Sequence, residues 1–375
     1  MHASEDQILI RDAAESFLGD VSSSAAVRAA MARPEGHDPA VWARIRSELG
    51  WCGLAIPEAF GGLGLGAPEL VLLLEQAGRH LLCAPFVSTV CLAANLLQQV
   101  ADESAQARLL PLIADGSLQA TAAMPATPDW ASTAASLRAM RTASGWQLDG
   151  EIARIPDAGT AGLLLVLARV DGAAQPALFA LAPSATGLVL EELQTWDATR
   201  RFHRATFTAV ALPPDARIDA PARSADALKR AAALAQLYLA AEALGCAQQC
   251  LDLTVAYVAT RQQFGRPVGA FQAVKHRCAE MMIRIESARS GVVGAAQLAA
   301  TAADTTSLAM DCAMARVLTL DTQFFCAQEA IQLHGGVGFT WEYDPQLYFK
   351  RAQAGSHWFG TADALRADIS EALLS

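Results

Sequence analysis

Two stretches of the chain combine arginine, glycine and polar residues at the ends of apolar segments with helical periodicity. They are residues 261–267 (RQQFGRP) and residues 332–339 (QLHGGVGF). The guanidinium groups of Arg261 and Arg266 are planar donors that match phosphate oxygens. Gly335 and Gly336 lack a Cβ, so that a ligand can lie against the backbone amides. Together the stretches predict two walls of a site for a long, phosphorylated ligand that is flat at one end.

The same stretches carry a family resemblance. Residues 261–281 (RQQFGRPVGAFQAVKHRCAEM) and 332–352 (QLHGGVGFTWEYDPQLYFKRA) resemble the acyl-CoA dehydrogenases, flavoenzymes that desaturate acyl thioesters. Residues 49–66 (LGWCGLAIPEAFGGLGLG) look like the N-terminal domain of that family. The resemblance implies FAD as cofactor, an acyl-CoA substrate and an electron-transferring flavoprotein as electron acceptor. It also implies a dimer or tetramer of like or unlike chains, in which these residues reach a flavin seated in the neighbouring subunit.

The resemblance also implies roles for individual residues. Arg261, Phe264 and Gln272 would contact the diphosphate and adenine half of FAD. The other side of the cofactor site would be lined by Gln332, Leu333, His334, Gly335 and Gly336, and Thr361 would contribute from a C-terminal turn. Two alternatives remain open from the residues themselves. Arg261 and Arg266 could cap a helix through its carbonyl groups, and His334 could serve packing rather than ligand contact.

The catalytic base of the family is a carboxylate whose pKa is raised by desolvation, so that it can take the α-proton of the substrate. The resemblance places Phe359, in the turn at residues 358–361 (WFGT), where many members have the glutamate base. It places Ala235 where other members have it, and neither side chain can accept a proton. Glu242 is the remaining candidate, because it lies in an apolar run where an unpaired carboxylate is costly. A polar stripe that continues through Gln249 and Asp252 explains Glu242 equally well.

The segments that would hold the flavin ring depart from the family pattern. The family usually has Thr-Glu-Pro followed by Gly-Ser, whereas residues 124–130 read MPATPDW. Arg154 stands where an aromatic residue is usual, and Trp130 is a candidate substitute for that aromatic residue. Glu342 and Asp344, which follow the Gly-Gly turn, match positions that are structural in the family.

Composition narrows the class of protein. The 375 residues suffice for two or three domains, and 53% are hydrophobic against 18% charged. A formal net charge of −10 without a local basic stripe argues against a nucleic-acid partner. The absence of a signal-peptide pattern and of an apolar run that could cross a bilayer predicts a soluble, cytoplasmic protein without a membrane partner. Eight scattered cysteines without a C-x-x-C pair predict reduced, buried thiols and no metal site.

Apolar periodicity predicts a mostly α fold with a central β domain. The predicted domains are an N-terminal helical domain (residues 1–116), a middle β-barrel or sandwich (117–221) and a C-terminal four-helix bundle (222–375). Helices are predicted at residues 6–18, 38–49, 67–78, 87–100, 225–261, 271–303, 305–333, 345–353 and 362–374. Strands are predicted at residues 119–124, 136–141, 146–148, 163–170, 177–181, 188–193 and 205–210. Glycines and a proline predict a loop at residues 50–64, and Gly335 is predicted to cap the helix before it.

Two functions follow as hypotheses. The first is an FAD-dependent acyl-CoA dehydrogenase that introduces an α,β double bond, or a subunit of one, with the usual base replaced by Phe359. The alternative is a non-catalytic partner subunit that completes the FAD site of a second dehydrogenase chain. A flavoprotein that acts on something other than thioesters also remains open, because no residue specifically demands coenzyme A.

Overall fold

The computed structural model describes residues 4–124, 136–173, 175–220, 225–301 and 304–374. The chain is mostly helical with a central curled sheet, which confirms the predicted fold class. It divides into two compact units, one formed by Met1–Ala29, Ala67–Leu82 and Gln236–Ser375 and the other by Ala30–Gly66 and Cys83–Ala235. The predicted boundaries of three domains, after residues 116 and 221, stay a prediction.

The α-helices of the described residues agree closely with the apolar periodicity. In chain order they are α1 (Glu5–Val21), α2 (Ser24–Met31), α3 (Pro39–Ser47), α4 (Ala67–Arg79), α5 (Asn95–Val100), α6 (Glu103–Ala114), α7 (Ala225–Thr260), α8 (Gln272–Ala299), α9 (Thr305–His334), α10 (Pro345–Gly355) and α11 (Ala362–Leu374). Within these described ranges, no helix has the length and hydropathy that crossing a bilayer requires. All eight cysteines are free thiols; seven are buried, as predicted, whereas Cys278 is partly exposed.

Local sequence explains where several helices begin. Ser4 and Gln7 form a reciprocal capping box at the start of α1. The side chain of Asp304 accepts hydrogen bonds from two backbone amides of the first turn of α9. Pro345 occupies the first position of α10, where a backbone N–H would have no partner within the helix, so that its absence costs no hydrogen bond. Of these three helices, α9 carries the candidate site, at its other end.

The helices of the first unit pack against one another in a bundle. Helix α9 packs against α8, α10 and α11, and α7 approaches α4 so closely that glycine is required at the crossing. A Cβ added at Gly78 would lie 2.0 Å from the carbonyl oxygen of Glu242, and one at Gly245 would lie 1.8 Å from that of Glu75. This close packing holds α7 in place, and α7 and α9 both end at the same pocket.

The sheet lies in the second unit. Its strands are β1 (Ala120–Ala123), β2 (Leu137–Thr142), β3 (Gly145–Pro156), β4 (Leu163–Val170), β5 (Ala177–Leu181), β6 (Leu188–Glu192) and β7 (Phe202–Leu212). The order is β1-β4-β2-β3-β7-β6, with β5 paired to β4. Strand β4 runs parallel to β1 and β2, and the other pairs are antiparallel. All seven predicted strands are present, and β3 and β7 are longer than predicted because they pair with each other along most of their length.

Three local features differ from the predicted pattern. Residues 87–100 are a π-helix at Val87–Ala94 that continues into α5, rather than a single α-helix. Helices α2 and α6 lie in stretches where the apolar periodicity predicts no separate helix. A short hairpin of β8 (Gln262–Gln263) and β9 (Arg266–Pro267) follows α7. The predicted glycine-rich loop at residues 50–64 is confirmed and contains two single-turn 3₁₀ helices.

Candidate functional site

The first wall of the site is built where α7 ends. The amide of Arg261 donates to the carbonyl of Tyr257 at 2.9 Å, and its own carbonyl accepts from the amide of Val268 at 2.8 Å. Between them the hairpin turns through Phe264 and Gly265, whose φ values of 53° and 76° are both left-handed. Two consecutive left-handed residues define the tight hairpin turn that matches strand twist. The turn presents the Phe264 ring to solvent, with 90% of the residue exposed.

Within the described residues, the guanidinium of Arg261 makes no hydrogen bond or ion pair, and it does not cap a helix. The guanidinium of Arg266 lies 4.0 Å from the centroid of the Phe271 ring, and Phe264 meets the same ring edge-on at 6.1 Å. The hairpin therefore holds Arg266 against an aromatic ring and leaves Arg261 available on the pocket wall. An exposed, unengaged guanidinium is suited to a phosphate ligand.

The second wall is built where α9 ends. Gly335 has φ 65° and ψ −145°, a backbone conformation that favours glycine, and its amide donates to the carbonyl of Gln332. The predicted helix cap at Gly335 is therefore confirmed. A Cβ added at Gly335 or Gly336 would meet no atom within 4 Å. The backbone at this turn consequently faces open space, where a ligand can approach it without a side chain in the way.

His334 joins the two walls. Its Nδ1 lies 2.6 Å from the carbonyl oxygen of Ala330, and because a carbonyl only accepts, Nδ1 carries the hydrogen and Nε2 is left as an acceptor. Its ring stacks on Tyr257 with centroids 4.3 Å apart, and Tyr343 meets both rings edge-on. Burial lowers the pKa of His334, opposed by the hydrogen bond to Ala330. The imidazole is therefore neutral at pH 7.

These walls enclose one pocket of about 590 Å³, within the usual range for small-molecule sites. Seven of the predicted cofactor residues line it: Arg261, Phe264, Gln332, Leu333, His334, Gly335 and Gly336. Of the other lining residues, Gln263 and Val337 belong to the two stretches predicted as walls without an individual role, whereas Tyr257, Val268 and Phe271 lie outside those stretches. Tyr257 lies four residues before Arg261 on α7, and this helical spacing is the signal that could have identified it.

The remaining predicted cofactor residues lie outside the lining. Gln272 is the first residue of α8 and follows the lining residue Phe271. Thr361 caps α11, with its hydroxyl oxygen accepting from the amide of Ala364 at 3.2 Å. Trp130, the candidate substitute beside the flavin ring, falls outside the described residues. Arg154 is exposed on β3, next to the register shift between Ile152 and Ile155.

Glu242, the candidate base, lies inside the bundle. Its Oε1 is 3.0 Å from Nη1 of Arg351, and the two side chains are 7% and 3% exposed. The guanidinium balances the charge of the carboxylate, which makes burial of both groups tolerable. Asp252 accepts hydrogen bonds from Gln248 at 2.9 Å and from Arg79 at 2.9 Å. The role of Glu242 as base stays a prediction, beside the structural role that the sequence left open.

The turn at residues 358–361 buries its aromatic residues. Phe359 is buried although its φ is 64°, an uncommon conformation for a bulky side chain, and its ring meets Trp358 edge-on at 5.6 Å. Arg316 anchors this turn by donating to the carbonyls of Gly355 at 3.0 Å and Trp358 at 3.3 Å. Ala235 is fully buried in α7. Neither Phe359 nor Ala235 provides a proton acceptor, as the sequence indicated.

The residues of the pocket fit a nucleotide diphosphate. Arg261 offers a cationic fork, the Gly335–Gly336 backbone faces open space, and Phe264 and Phe271 provide aromatic surface. The neutral His334 adds one acceptor for a ligand hydroxyl or amine. Charged donors, accessible amides and aromatic faces are the groups that bind phosphates and flat heterocycles in proteins.

Comparison with known proteins identifies the family of the chain. The family model "Acyl-CoA dehydrogenase, N-terminal domain" matches residues 4–117, and "Acyl-CoA dehydrogenase, C-terminal domain" matches residues 226–374. The chain is 34% identical to acyl-CoA dehydrogenase IpdE2 of Mycobacterium tuberculosis (strain ATCC 25618 / H37Rv), covering 94% of this chain and 92% of that protein. It is 31% identical to acyl-CoA dehydrogenase IpdE2 of Mycolicibacterium smegmatis (strain ATCC 700084 / mc(2)155), covering 95% of each. The chain belongs to the acyl-CoA dehydrogenase family.

The fold is shared with solved structures. The structure of a variant of the Tcur3481-Tcur3483 steroid ACAD superposes with a TM-score of 0.88 at 31% sequence identity, covering 99% of this chain and 98% of that chain. This likeness extends over both compact units and confirms the family resemblance that residues 261–281 and 332–352 indicated.

Proposed function

We propose that this chain is a subunit of an FAD-dependent acyl-CoA dehydrogenase, and that its pocket holds the adenosine diphosphate half of the flavin. The observation that carries the proposal is the pocket that brings Arg261 together with Gly335 and Gly336. Membership of an FAD-dependent oxidoreductase family supports the identity of the cofactor.

In this proposal six of the pocket residues have defined roles in binding the nucleotide. Arg261 neutralises phosphate charge, and the diphosphate lies against the backbone of Gly335 and Gly336 without interference from side chains. Phe264 and Phe271 cover the flat adenine, and Nε2 of His334 accepts a hydrogen bond from a ribose hydroxyl or the adenine amine. Bound flavin supplies the hydride-accepting chemistry that turns a CH–CH bond of the substrate into a double bond.

Removal of the α-proton requires a base. Phe359 and Ala235 cannot serve, and the carboxylate of Glu242 is engaged with Arg351. Two versions of the function follow. In the first, Glu242 leaves its pair with Arg351 when substrate is bound and acts as the base. In the second, this chain is the non-catalytic partner that completes the FAD site of a second, unlike dehydrogenase chain, and that chain supplies the base; the buried Phe359 favours this version.

Other parts of the proposal rest on family membership. The substrate is an acyl-CoA thioester, the electron acceptor is an electron-transferring flavoprotein, and the compartment is the cytoplasm, where free thiols such as the eight of this chain stay reduced. One of the similar solved structures is named a steroid ACAD, and its name, Tcur3481-Tcur3483, joins two designations. That likeness supports an assembly of two unlike chains and a bulky, ring-containing acyl group.

Flavin content tests the proposal. The chain is purified alone and after co-expression with a second dehydrogenase chain encoded by a neighbouring gene, and FAD is quantified per chain in each preparation. The two-chain version predicts a colourless chain alone and a yellow complex that an acyl-CoA bleaches. Flavin and bleaching in the chain alone would support the version with Glu242, provided that Glu242→Gln stays folded with flavin bound and no longer bleaches. Absence of flavin from both preparations would refute the proposed function.

A further inference from the structure

Arg28 lies on α2 and does not line the pocket, yet it binds the segment that follows the Gly335–Gly336 turn. Its Nη2 donates to the carbonyl of Trp341 at 2.6 Å and to that of Tyr343 at 3.2 Å. Its Nη1 donates to Oδ1 of Asp344 at 2.6 Å. The guanidinium also lies 5.2 Å from the centroid of the Trp341 ring. One side chain thus holds three places in the segment between α9 and α10.

The segment that Arg28 binds, residues 341–344, contacts residues that line the pocket. Tyr343, whose carbonyl accepts from Arg28, places its ring edge-on against Tyr257 at 6.0 Å and against His334 at 6.2 Å. Both of these residues line the pocket. A continuous series of contacts therefore runs from the guanidinium of Arg28 through Tyr343 to the two walls.

The segment has weaker side-chain contacts as well: the hydroxyl of Ser24 donates to Oδ1 of Asp344 at 2.7 Å, and Nζ of Lys350 lies 5.6 Å from the centroid of the Trp341 ring. Residues 340–343 are exposed, and their backbone amides form two hydrogen bonds, from Thr340 to Val337 at 3.0 Å and from Tyr343 to Thr340 at 3.3 Å. Exposed, irregular backbone with few buried contacts opens locally at low free-energy cost. The bonds from Arg28 are charge-assisted, its side chain is only 17% exposed, and they reach Trp341, Tyr343 and Asp344 at once.

We propose that Arg28 is a positioning residue for the nucleotide pocket. It holds residues 341–344 so that Tyr343 keeps His334 and Tyr257 stacked, and the Gly335–Gly336 turn keeps its place at the end of α9. Arg28 acts through these residues without touching the ligand. Where flavin binding is concerned, the inference rests on the proposed function.

The test compares Arg28→Ala with Arg217→Ala. Arg217 is a close structural match, because its guanidinium binds Asp219 through two bonds of 2.9 Å and lies 5.6 Å from the centroid of the Trp146 ring, but it does not line the pocket. Arg28→Gln replaces the alanine variant if that variant does not accumulate as folded protein. Hydrogen exchange of residues 335–344 is measured on the flavin-free chain, and the rate of FAD release is measured on the flavin-loaded assembly.

Arg28→Ala is expected to speed exchange of residues 335–344 by about tenfold or more and to speed FAD release, whereas Arg217→Ala changes neither. Unchanged exchange in Arg28→Ala overturns the inference, as does faster exchange with the wild-type rate of FAD release. If the wild-type chain binds no FAD alone or with a second chain, the proposed function fails. The exchange measurement then still decides whether Arg28 holds the segment.

Discussion

The imidazole of His334 stacks on the ring of Tyr257, with centroids 4.3 Å apart and ring planes 19° from parallel. His334 is the last residue of α9, and Tyr257 lies in the last turn of α7. The stack therefore fixes the distance between the two helix ends that carry Arg261 and the Gly335–Gly336 turn. This pair of rings is therefore a direct contact between the two walls of the pocket.

Replacing Tyr257 should loosen the pocket and the fold. Tyr257→Ala removes the stack on His334 and the edge contact with Tyr343, and we expect it to lower the free energy of unfolding by about 1–3 kcal/mol. Tyr257→Phe keeps both ring contacts and should stay close to wild type. Urea unfolding of the flavin-free chains measures the difference. Equal stability of the alanine and phenylalanine variants would show that the stack does not support the structure.

Substitution by alanine should have different effects at Gly336 and at Gly338. At Gly336 an added Cβ meets no atom within 4 Å, so Gly336→Ala should fold normally and retain less FAD, because the methyl group occupies ligand space. At Gly338 the added Cβ would lie 2.7 Å from the carbonyl oxygen of Ile331. Gly338→Ala should therefore lose about 1–3 kcal/mol of stability. Thermal unfolding and FAD content are compared for both. Full FAD content in a folded Gly336→Ala protein would place the cofactor elsewhere.

Removal of one partner from the buried pair of Glu242 and Arg351 should lower the free energy of unfolding substantially. Glu242→Gln removes the carboxylate charge that faces the buried guanidinium of Arg351 at 3.0 Å, and we expect a loss of about 3–5 kcal/mol in the free energy of unfolding. Replacing both residues together, as Glu242→Leu with Arg351→Met, should recover much of that loss. Urea unfolding of wild type, Glu242→Gln and the double variant measures both differences. If Glu242→Gln costs less than about 1 kcal/mol, the carboxylate has a smaller structural role than its burial implies.

Lowering the pH should reduce the free energy of unfolding because His334 is buried in the folded chain. Burial lowers the pKa of His334 from its ordinary value of 6.5, so the unfolded chain takes up a proton that the folded chain resists. The stabilisation is therefore complete above pH 6.5 and declines as the pH falls through the folded-state pKa. His80 and His203, whose pKa values burial also lowers, act in the same direction.

The test of this pH dependence uses His334→Gln in the flavin-free chain, with unfolding by urea at several pH values from mildly alkaline to mildly acidic. The variant should lose less stability than wild type over this range. His276→Gln, at an exposed position on α8, serves as the control and should follow the wild-type curve. Identical curves for wild type and His334→Gln would mean that His334 titrates alike in both states.

The sequence predicted the parts of the site that are local. Arg261 and Gly335 were recognisable because each closes a long apolar helix pattern, and the family resemblance brought the two stretches together. The hairpin after α7 was missed because Phe264 occupies a left-handed position that aromatic residues rarely adopt. The π-helix at Val87–Ala94 has the same apolar pattern as a buried α-helix, so periodicity could not separate them. The contact between Arg28 and Tyr343 joins distant parts of the chain and has no local signal.

The affinity of the assembled protein for FAD, compared between wild type and Arg261→Ala, tests the central claim most directly. Arg277→Ala is the control, because Arg277 is an exposed arginine on α8 that pairs with Glu329 at 3.2 Å and does not line the pocket. A charge-assisted bond to phosphate contributes about 1.5–3 kcal/mol, so Arg261→Ala should weaken FAD binding by about tenfold to a hundredfold, with Arg277→Ala unchanged. Wild-type FAD affinity in Arg261→Ala would contradict the claim that this pocket holds the diphosphate of the flavin.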